Sequence, residues 1–246
     1  MRLTRVHVEN GDLAPGREVV LPEGPATHLA RVLRHEVGDA CVLFNGDGRD
    51  YHGVVSAIGK REVRVAIESA QDVARESPLR LVLLQGVARG EKMDLILQKA
   101  TELGASAFHP LWSQRSEVKL DAARADKRLA HWRSVVASAC EQSGRASVPE
   151  VAAPLALAAA LAALPAGGLR LILDPDGELG FATLQVDAAA PVLLAIGPEG
   201  GWSPLDREQL RAAGFHGLRL GPRILRTETA GLAAIAALQA RFGDLA

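Results

Sequence analysis

The chain has little cysteine and no surplus of charge of either sign. Cys41 and Cys140 are the two cysteines among 246 residues, and they form no CxxC pair. That excludes a disulfide scaffold and a cysteine-built zinc site, and it fits a reducing compartment. Lys and Arg total 28 against 29 Asp and Glu, a formal net charge of -1. There is accordingly no polybasic tail and no composition-wide sign of nucleic-acid binding. No apolar run approaches the ~20 residues that span a bilayer. The opening stretch Met1 to His7 also lacks the apolar core of a signal peptide. A cytoplasmic protein without membrane contact is expected. Standard catalytic signatures are missing too: there is no GxxxxGK[ST], strand-linked GxGxxG, GxSxG elbow or HExxH. These absences weigh against an NTPase, a dinucleotide dehydrogenase, a serine hydrolase and a zinc hydrolase. The seven histidines are scattered. No metal site is expected, and His109 and His216 read as structural.

What is present is an ordinary folded composition, 48% hydrophobic and 23% charged, which excludes intrinsic disorder. The length suits one large domain or two smaller ones, with a core that needs no disulfide or metal. The first seventy or so residues read as β structure. Runs at Val19 to Leu21, Ala40 to Phe44, Gly53 to Ile58 and Val63 to Ile67 alternate with turn signals such as Asn10-Gly11 and Asn45-Gly46. Ala26 to His35 is the helical exception, with Leu29, Val32 and Leu33 on one face. A small barrel is expected, followed by a linker over Ser69 to Pro78.

Beyond that linker strands and helices alternate. Leu79 to Val87, Ala107 to Leu111, Leu169 to Leu173, Val192 to Ile196 and Leu218 to Leu220 read as buried strands. Met93, Ile96, Leu97, Ala100 and Leu103 form a helical stripe closed by Gly104, and Ala122 to Ser143 and Ala230 to Arg241 are further helices. The alternation predicts an α/β sheet with helices on both faces. The Ala-rich stretch Val151 to Gly168 reads as a surface helix plus loop without chemistry. Only residues 75–150 carry more basic than acidic groups, including Arg124, Lys127, Arg128 and Arg133. They form either a solvated helix face or a phosphate-binding stripe.

Three loops at strand C-terminal ends, where open α/β sheets bind ligands, carry the chemistry. They are Leu173-Asp174-Pro175-Asp176-Gly177, Ile196-Gly197-Pro198-Glu199-Gly200-Gly201 and Leu220-Gly221-Pro222-Arg223-Ile224-Leu225-Arg226. Glycine and proline there let the backbone approach a flat ligand; Asp174-Pro175 and Gly197-Pro198 are also what simple tight turns contain. After the second loop, Ser203, Pro204 and Asp206 make a capping-box helix start. Glu199, held between prolyl and glycyl residues, reads as a ligand contact. Arg223 and Arg226 either clamp Glu228 or grip phosphate.

The second and third loops, extended to Ala230, resemble the signature of the RsmE family, the 16S ribosomal RNA uridine-N3 methyltransferases of the SPOUT superfamily. His28-Leu29 to Val32-Leu33-Arg34, Gly38-Asp39 and Phe44-Asn45-Gly46 resemble its PUA-like barrel. Lys99 to Gly104, Arg115-Ser116 and Glu141 to Arg145 resemble its middle segment. Asn45, where Asp is usual, and Pro222, which lacks an amide hydrogen, are small departures. The resemblance covers nearly the whole chain. It implies a PUA-like β-barrel over 1–72 and a SPOUT trefoil-knotted α/β methyltransferase domain over 73–246, with S-adenosyl-L-methionine as cofactor, a homodimer, and 16S rRNA or the assembled small subunit as partner. The cofactor would be held by Leu173, Asp174, Pro175, Ile196, Gly197, Pro198, Glu199, Gly200, Gly201, Leu220, Gly221, Arg223, Ile224, Leu225, Thr229 and Ala230. Arg226 and Glu199 are the candidate catalytic residues, for stabilising a uridine anion and for orienting the base or accepting its proton. Arg2, Arg5, Arg31 and Arg34 of the barrel, with Lys92, Arg115 and Arg145, are the RNA-contact candidates. The rival readings are a SPOUT methyltransferase acting on tRNA or another rRNA base, and a non-catalytic RNA-binding ribosome-assembly protein.

Overall fold

The computed structural model describes residues 3–9, 11–60, 62–116 and 122–245. They form two compact units, residues 1–76 with 137–148, and residues 77–136 with 149–246.

In the first unit five strands, β1 (Thr4–His7), β2 (Glu18–Val20), β3 (Ala40–Phe44), β4 (Arg49–Ile58) and β5 (Val63–Asp72), form one sheet in the order β1-β3-β4-β5-β2. The β1–β3 pair is parallel and the others are antiparallel. Inward-facing residues of β3, β4 and β5 pack with Val6 from one edge strand and Val19 from the other in a single core. A sheet whose two edges feed one core is curled around it. The stretch read as one helix over 26–35 is a short helix, α1 (Glu23–Thr27), running into a π-helical turn, His28–Val32. Its buried anchors are Ala26 and Leu29, whereas Val32 and Leu33, expected on the same inward face, are exposed. The wider π turn rotates them outward. β5 continues to Asp72, four residues into the stretch read as linker. Strand β1 was not expected, because Thr4–His7 mixes basic and apolar residues too short a way to show a period.

Two buried arginines tie residues 137–148 into this unit. Arg5, 8% exposed, pairs with Asp50, donates to the Arg145 carbonyl at 3.0 Å and lies over the Phe44 ring at 4.7 Å. Arg145, 5% exposed, pairs through two nitrogens with Glu76. The His7 N–H donates to Glu141 Oε1 at 2.9 Å. Burial is the largest influence on that carboxyl and pushes its pKa up, against the His7 N–H, His28 and Arg5.

The second unit is an all-parallel sheet. Its strands are β6 (Leu81–Gly86), β7 (Ala107–Trp112), β8 (Glu150–Val151), β9 (Leu155–Ala156), β10 (Leu169–Leu173), β11 (Leu179–Gly180), β12 (Val192–Ile196) and β13 (His216–Arg219). They run in the order β11-β13-β10-β12-β6-β7-β8, with β9 also paired to β7. Strands covered on both faces must be apolar throughout, and every residue of β6 and β12 is buried. The helices are α2 (Glu91–Glu102), α3 (Ala122–Ser143), whose residues from 137 on belong to the first unit, α4 (Leu157–Ala162), α5 (Pro204–Ala212) and α6 (Thr227–Phe242). Val82 and Leu84 face a core shared with Leu157 of α4 and Leu210 of α5. The alternate residues Leu81 and Leu83 face the other way, toward the layer where α6 packs on α2 and β12. The Ala-rich stretch holds more than a surface helix, since it supplies Val151 of β8, all of β9 and the buried Leu157 and Ala160. The last strand lies two residues earlier than Leu218 to Leu220 and ends before Leu220. No helix among the described residues is long and apolar enough to cross a membrane.

Candidate cofactor cavity and RNA-facing residues

The C-terminal ends of β10, β12 and β13 lie side by side, and the turns that leave them enclose a cavity of ≈ 410 Å³ within the second unit. Leu173, Asp174 and Pro175 come from the first turn. Ile196, Gly197, Pro198, Glu199 and Gly201 come from the second, and Leu220, Gly221, Arg223, Ile224, Leu225 and Arg226 from the third. Ala230 completes the residues expected from the sequence. Two expected residues do not line the cavity. The Gly200 carbonyl turns away to accept from Arg115 Nη1 at 3.1 Å, and Thr229 is exposed on the first turn of α6.

Local chemistry explains why the turns hold their shape. Gly201 and Gly221 have φ of 66° and 97°, left-handed conformations that glycine adopts without the cost of a Cβ. The second turn leads into α5 through the expected capping box. Ser203 Oγ accepts from the Asp206 N–H at 3.0 Å, and Asp206 Oδ2 accepts from the Ser203 N–H at 2.9 Å. Gly86 at the end of β6 lets the second turn lie directly on it, since a Cβ there would stand 2.6 Å from Pro198 N.

The wall also contains Lys92, Trp202, Arg207, Leu218, Thr227 and Glu228. Of these the sequence singled out Lys92, for RNA contact, and Glu228, as a partner for Arg223 or Arg226. Arg207 pairs with the buried Asp174, whose Oδ1 also accepts from the Asp176 N–H at 3.1 Å. Burial opposes ionisation of Asp174, but Arg207, the Asp176 amide and Arg211 together hold its pKa below the usual range. Glu199 behaves alike. Burial pushes its pKa up, and the N–H groups of Arg89 and of Glu199 itself, with Lys92, outweigh that and hold it low. Its Oε1 accepts from the Arg89 N–H at 3.0 Å and lies 3.5 Å from Lys92 Nζ. A carboxylate so held is a weak proton acceptor, so of the two roles considered for Glu199 the geometry favours orientation. Lys92 lies also 3.8 Å from Glu228 Oε2, an oxygen that is buried without a hydrogen-bond partner. Neither Arg223 nor Arg226 clamps Glu228: both are exposed, and no ion pair is formed by either among the described residues.

The RNA-contact candidates separate clearly. Arg5 and Arg145 are buried in ion pairs, so both are structural and neither guanidinium faces a partner. Burial and their carboxylate and carbonyl partners keep both guanidiniums away from the surface where phosphate would meet them. Arg31 and Arg34 are exposed, and Arg34 holds a φ of 57°. Arg115 is exposed beside the second turn, and Arg2 lies outside the described residues. Arg133 donates to the Val151 carbonyl at 3.2 Å and 3.3 Å, which takes it out of the expected basic stripe.

A parallel α/β sheet with a cavity at its carboxyl edge, in a chain that begins with a small curled sheet, defines a class once sequence profiles are compared. Residues 75–239 match the RNA methyltransferase domain, and residues 24–68 match the RNA methyltransferase PUA domain. The chain belongs to this family of RNA methyltransferases, together with the proteins called ribosomal RNA small subunit methyltransferase E. The Buchnera aphidicola (Schizaphis graminum) protein of that name is 32% identical over 99% of this chain and 98% of its own length. The Bacillus subtilis protein of that name is 32% identical over 86% of this chain and 85% of its own. A solved structure of ribosomal RNA small subunit methyltransferase E from Neisseria gonorrhoeae, bound to S-adenosyl methionine, matches with a TM-score of 0.92 at 36% identity, covering 100% of both chains. A methyltransferase from Legionella pneumophila in complex with SAM matches with a TM-score of 0.95 at 37% identity, again over 100% of both chains.

Proposed function

We propose that this chain is an S-adenosylmethionine-dependent methyltransferase of small-subunit ribosomal RNA, acting on N3 of a uridine. The observation that carries the reading is the cavity formed by the three strand-end turns, in a chain that matches over its full length two solved structures bound to this cofactor. The wall suits the molecule. Its volume lies in the small-ligand range of ~300–1,000 Å³. Leu173, Ile196, Leu218, Leu220 and Leu225 offer apolar faces to an adenine and to methylene groups. Glu228 Oε2, buried 3.8 Å from Lys92 Nζ but accepting no hydrogen bond, is an acceptor for a ligand N–H.

When bound, the cofactor supplies a methyl group made electrophilic by its sulfonium. The chain has to present a nucleophile, and uracil N3 carries a proton at neutral pH. Arg226, at the N-cap of α6 and without an ion pair among the described residues, favours the deprotonated imide by charge. The N3 proton leaves to bulk water as the base enters, and Glu199, whose Oε1 accepts from the Arg89 N–H and lies beside Lys92, orients the base at the cavity edge. The turns exclude water and set the angle of approach, which is where the remaining catalytic advantage lies.

RNA binding is assigned to residues 1–72, with Arg31 and Arg34 as contacts, and methyl transfer to 73–246 with its SPOUT trefoil-knotted topology. Arg34 supports this, since an exposed arginine held in a left-handed conformation is a costly arrangement that surface solubility does not require. A homodimer is assigned on the resemblance and a cytoplasmic location on the scarcity of cysteine, and light scattering tests the stoichiometry. The test of function is mass mapping of methylated uridine in small-subunit RNA from cells with and without the protein. Loss of one N3-methyluridine on deletion is expected; an unchanged map refutes the reading.

A further inference from the structure

Strand β6 reads Leu81 to Leu84 and then Gln85, a fully buried amide in an otherwise apolar run. Burying an amide costs free energy unless it is bonded, and Gln85 is bonded toward the cavity. Its Nε2 donates to the Gly86 carbonyl at 2.9 Å and to Thr227 Oγ1 at 3.2 Å. The Thr227 hydroxyl in turn donates to the Gly197 carbonyl at 2.6 Å. Gln85 Oε1 has no partner. An amide left half-satisfied in a core is not there to stabilise the sheet; it keeps the Thr227 hydroxyl aimed in one direction.

That direction matters because of what lies on either side. Gly197 opens the second turn, two residues before Glu199, and Gly86 already packs on its Pro198. Thr227 is the first residue of α6, directly after Arg226 and directly before Glu228. One buried hydroxyl thus sets the second turn in register with the end of the third. It fixes Glu199 relative to Arg226 and Glu228 across the cavity. We infer that Gln85 and Thr227 are positioning residues, a latch that holds the two turns in the arrangement needed for cofactor binding and methyl transfer. The functional half of this inference rests on the reading above; the mechanical half does not.

The experiment compares wild type, T227V, T227S and Q85L in two measurements. The first is amide hydrogen exchange of peptides covering 197–203 and 220–230 in the ligand-free protein, with melting curves to establish folding. The second is S-adenosylmethionine affinity by calorimetry, with kcat on unmethylated small ribosomal subunits. Valine keeps the shape of threonine and removes the hydroxyl; serine keeps the hydroxyl. T227V and Q85L are expected to speed exchange in both peptides together, and to lower kcat by about 10–100-fold, the cost of misplacement near 1 Å. T227S is expected to recover most of that loss. Unchanged exchange in folded T227V and Q85L, or T227S as impaired as T227V, overturns the latch. Should wild type bind no S-adenosylmethionine while T227V still loosens both peptides, the latch stands and the proposed function falls.

Discussion

Adding one methyl group at Gly86 tests how tightly the cavity is built. A Cβ at this position would stand 2.6 Å from Pro198 N, 2.7 Å from Pro198 Cδ and 3.0 Å from the Gly197 carbonyl carbon, where ordinary contact begins at 3.4 Å. The obstructing atoms are backbone and a proline ring, so no side chain can swing aside. G86A must move the second turn outward by about 0.8 Å or leave the clash in place. Overpacking of this kind costs about 1–3 kcal/mol. At roughly 2–4 °C per kcal/mol for a chain of this size, Tm falls by several degrees. If half of that strain is felt in the bound state, Kd for S-adenosylmethionine rises by up to about tenfold, and a displacement near 1 Å at the reacting centre costs about 10²-fold in methyl transfer. G180A is the control: in the same unit, its Cβ would meet nothing within 4 Å. Melting, calorimetry and methyl transfer measured on both variants decide the matter. If G86A matches G180A in all three, the close seat of the second turn on β6 is not what shapes the cavity.

Other perturbations separate structural from functional charge. R5M strands Asp50 in the core, and breaking such a buried pair costs about 3–5 kcal/mol; chemical denaturation should show the loss. R31A and R34A should leave stability nearly unchanged while each lowers the slope of log affinity against log salt by about 1, measured by RNA titration at several ionic strengths. E141Q keeps an acceptor for the His7 N–H and removes a carboxylate whose pKa burial has raised. A raised acid weakens the fold above its folded pKa, so E141Q should increase Tm at neutral pH, and the gain should vanish once the pH drops below the ordinary carboxylate range. For Glu199 the sign is opposite. Its depressed pKa stabilises the fold at neutral pH, and that contribution is lost as pH falls through the folded value; E199Q should flatten the acid limb of a Tm-against-pH curve.

The sequence made some parts of this molecule plain and concealed others, for physical reasons. Leu169 to Leu173, Val192 to Ile196 and Ala122 to Ser143 were readable to the residue, because these parallel strands are apolar runs, broken in the first by Arg170 alone, and a long helix shows its period. The three strand-end turns stood out through glycine and proline. Side-chain partners were invisible. Asp174 and Arg207 are 33 residues apart, and Glu199 meets the Arg89 N–H across 110. Nothing local links either pair. Arg5 and Arg145 looked like surface cations because a charge in a sequence does not reveal its counter-ion, and Asp50 and Glu76 are those partners. Gln85 was the one legible signal left unread, a polar residue inside an apolar strand. Two-residue strands such as β11 fall below any periodicity.

A crystal structure of this protein grown with S-adenosylmethionine, or with its demethylated product, tests the account most directly. Density for the ligand between residues 173–175, 196–201 and 220–226, with its amino-acid end near Glu228, is the predicted result. Density elsewhere on the molecule, with those three segments unoccupied at saturating ligand, would contradict it.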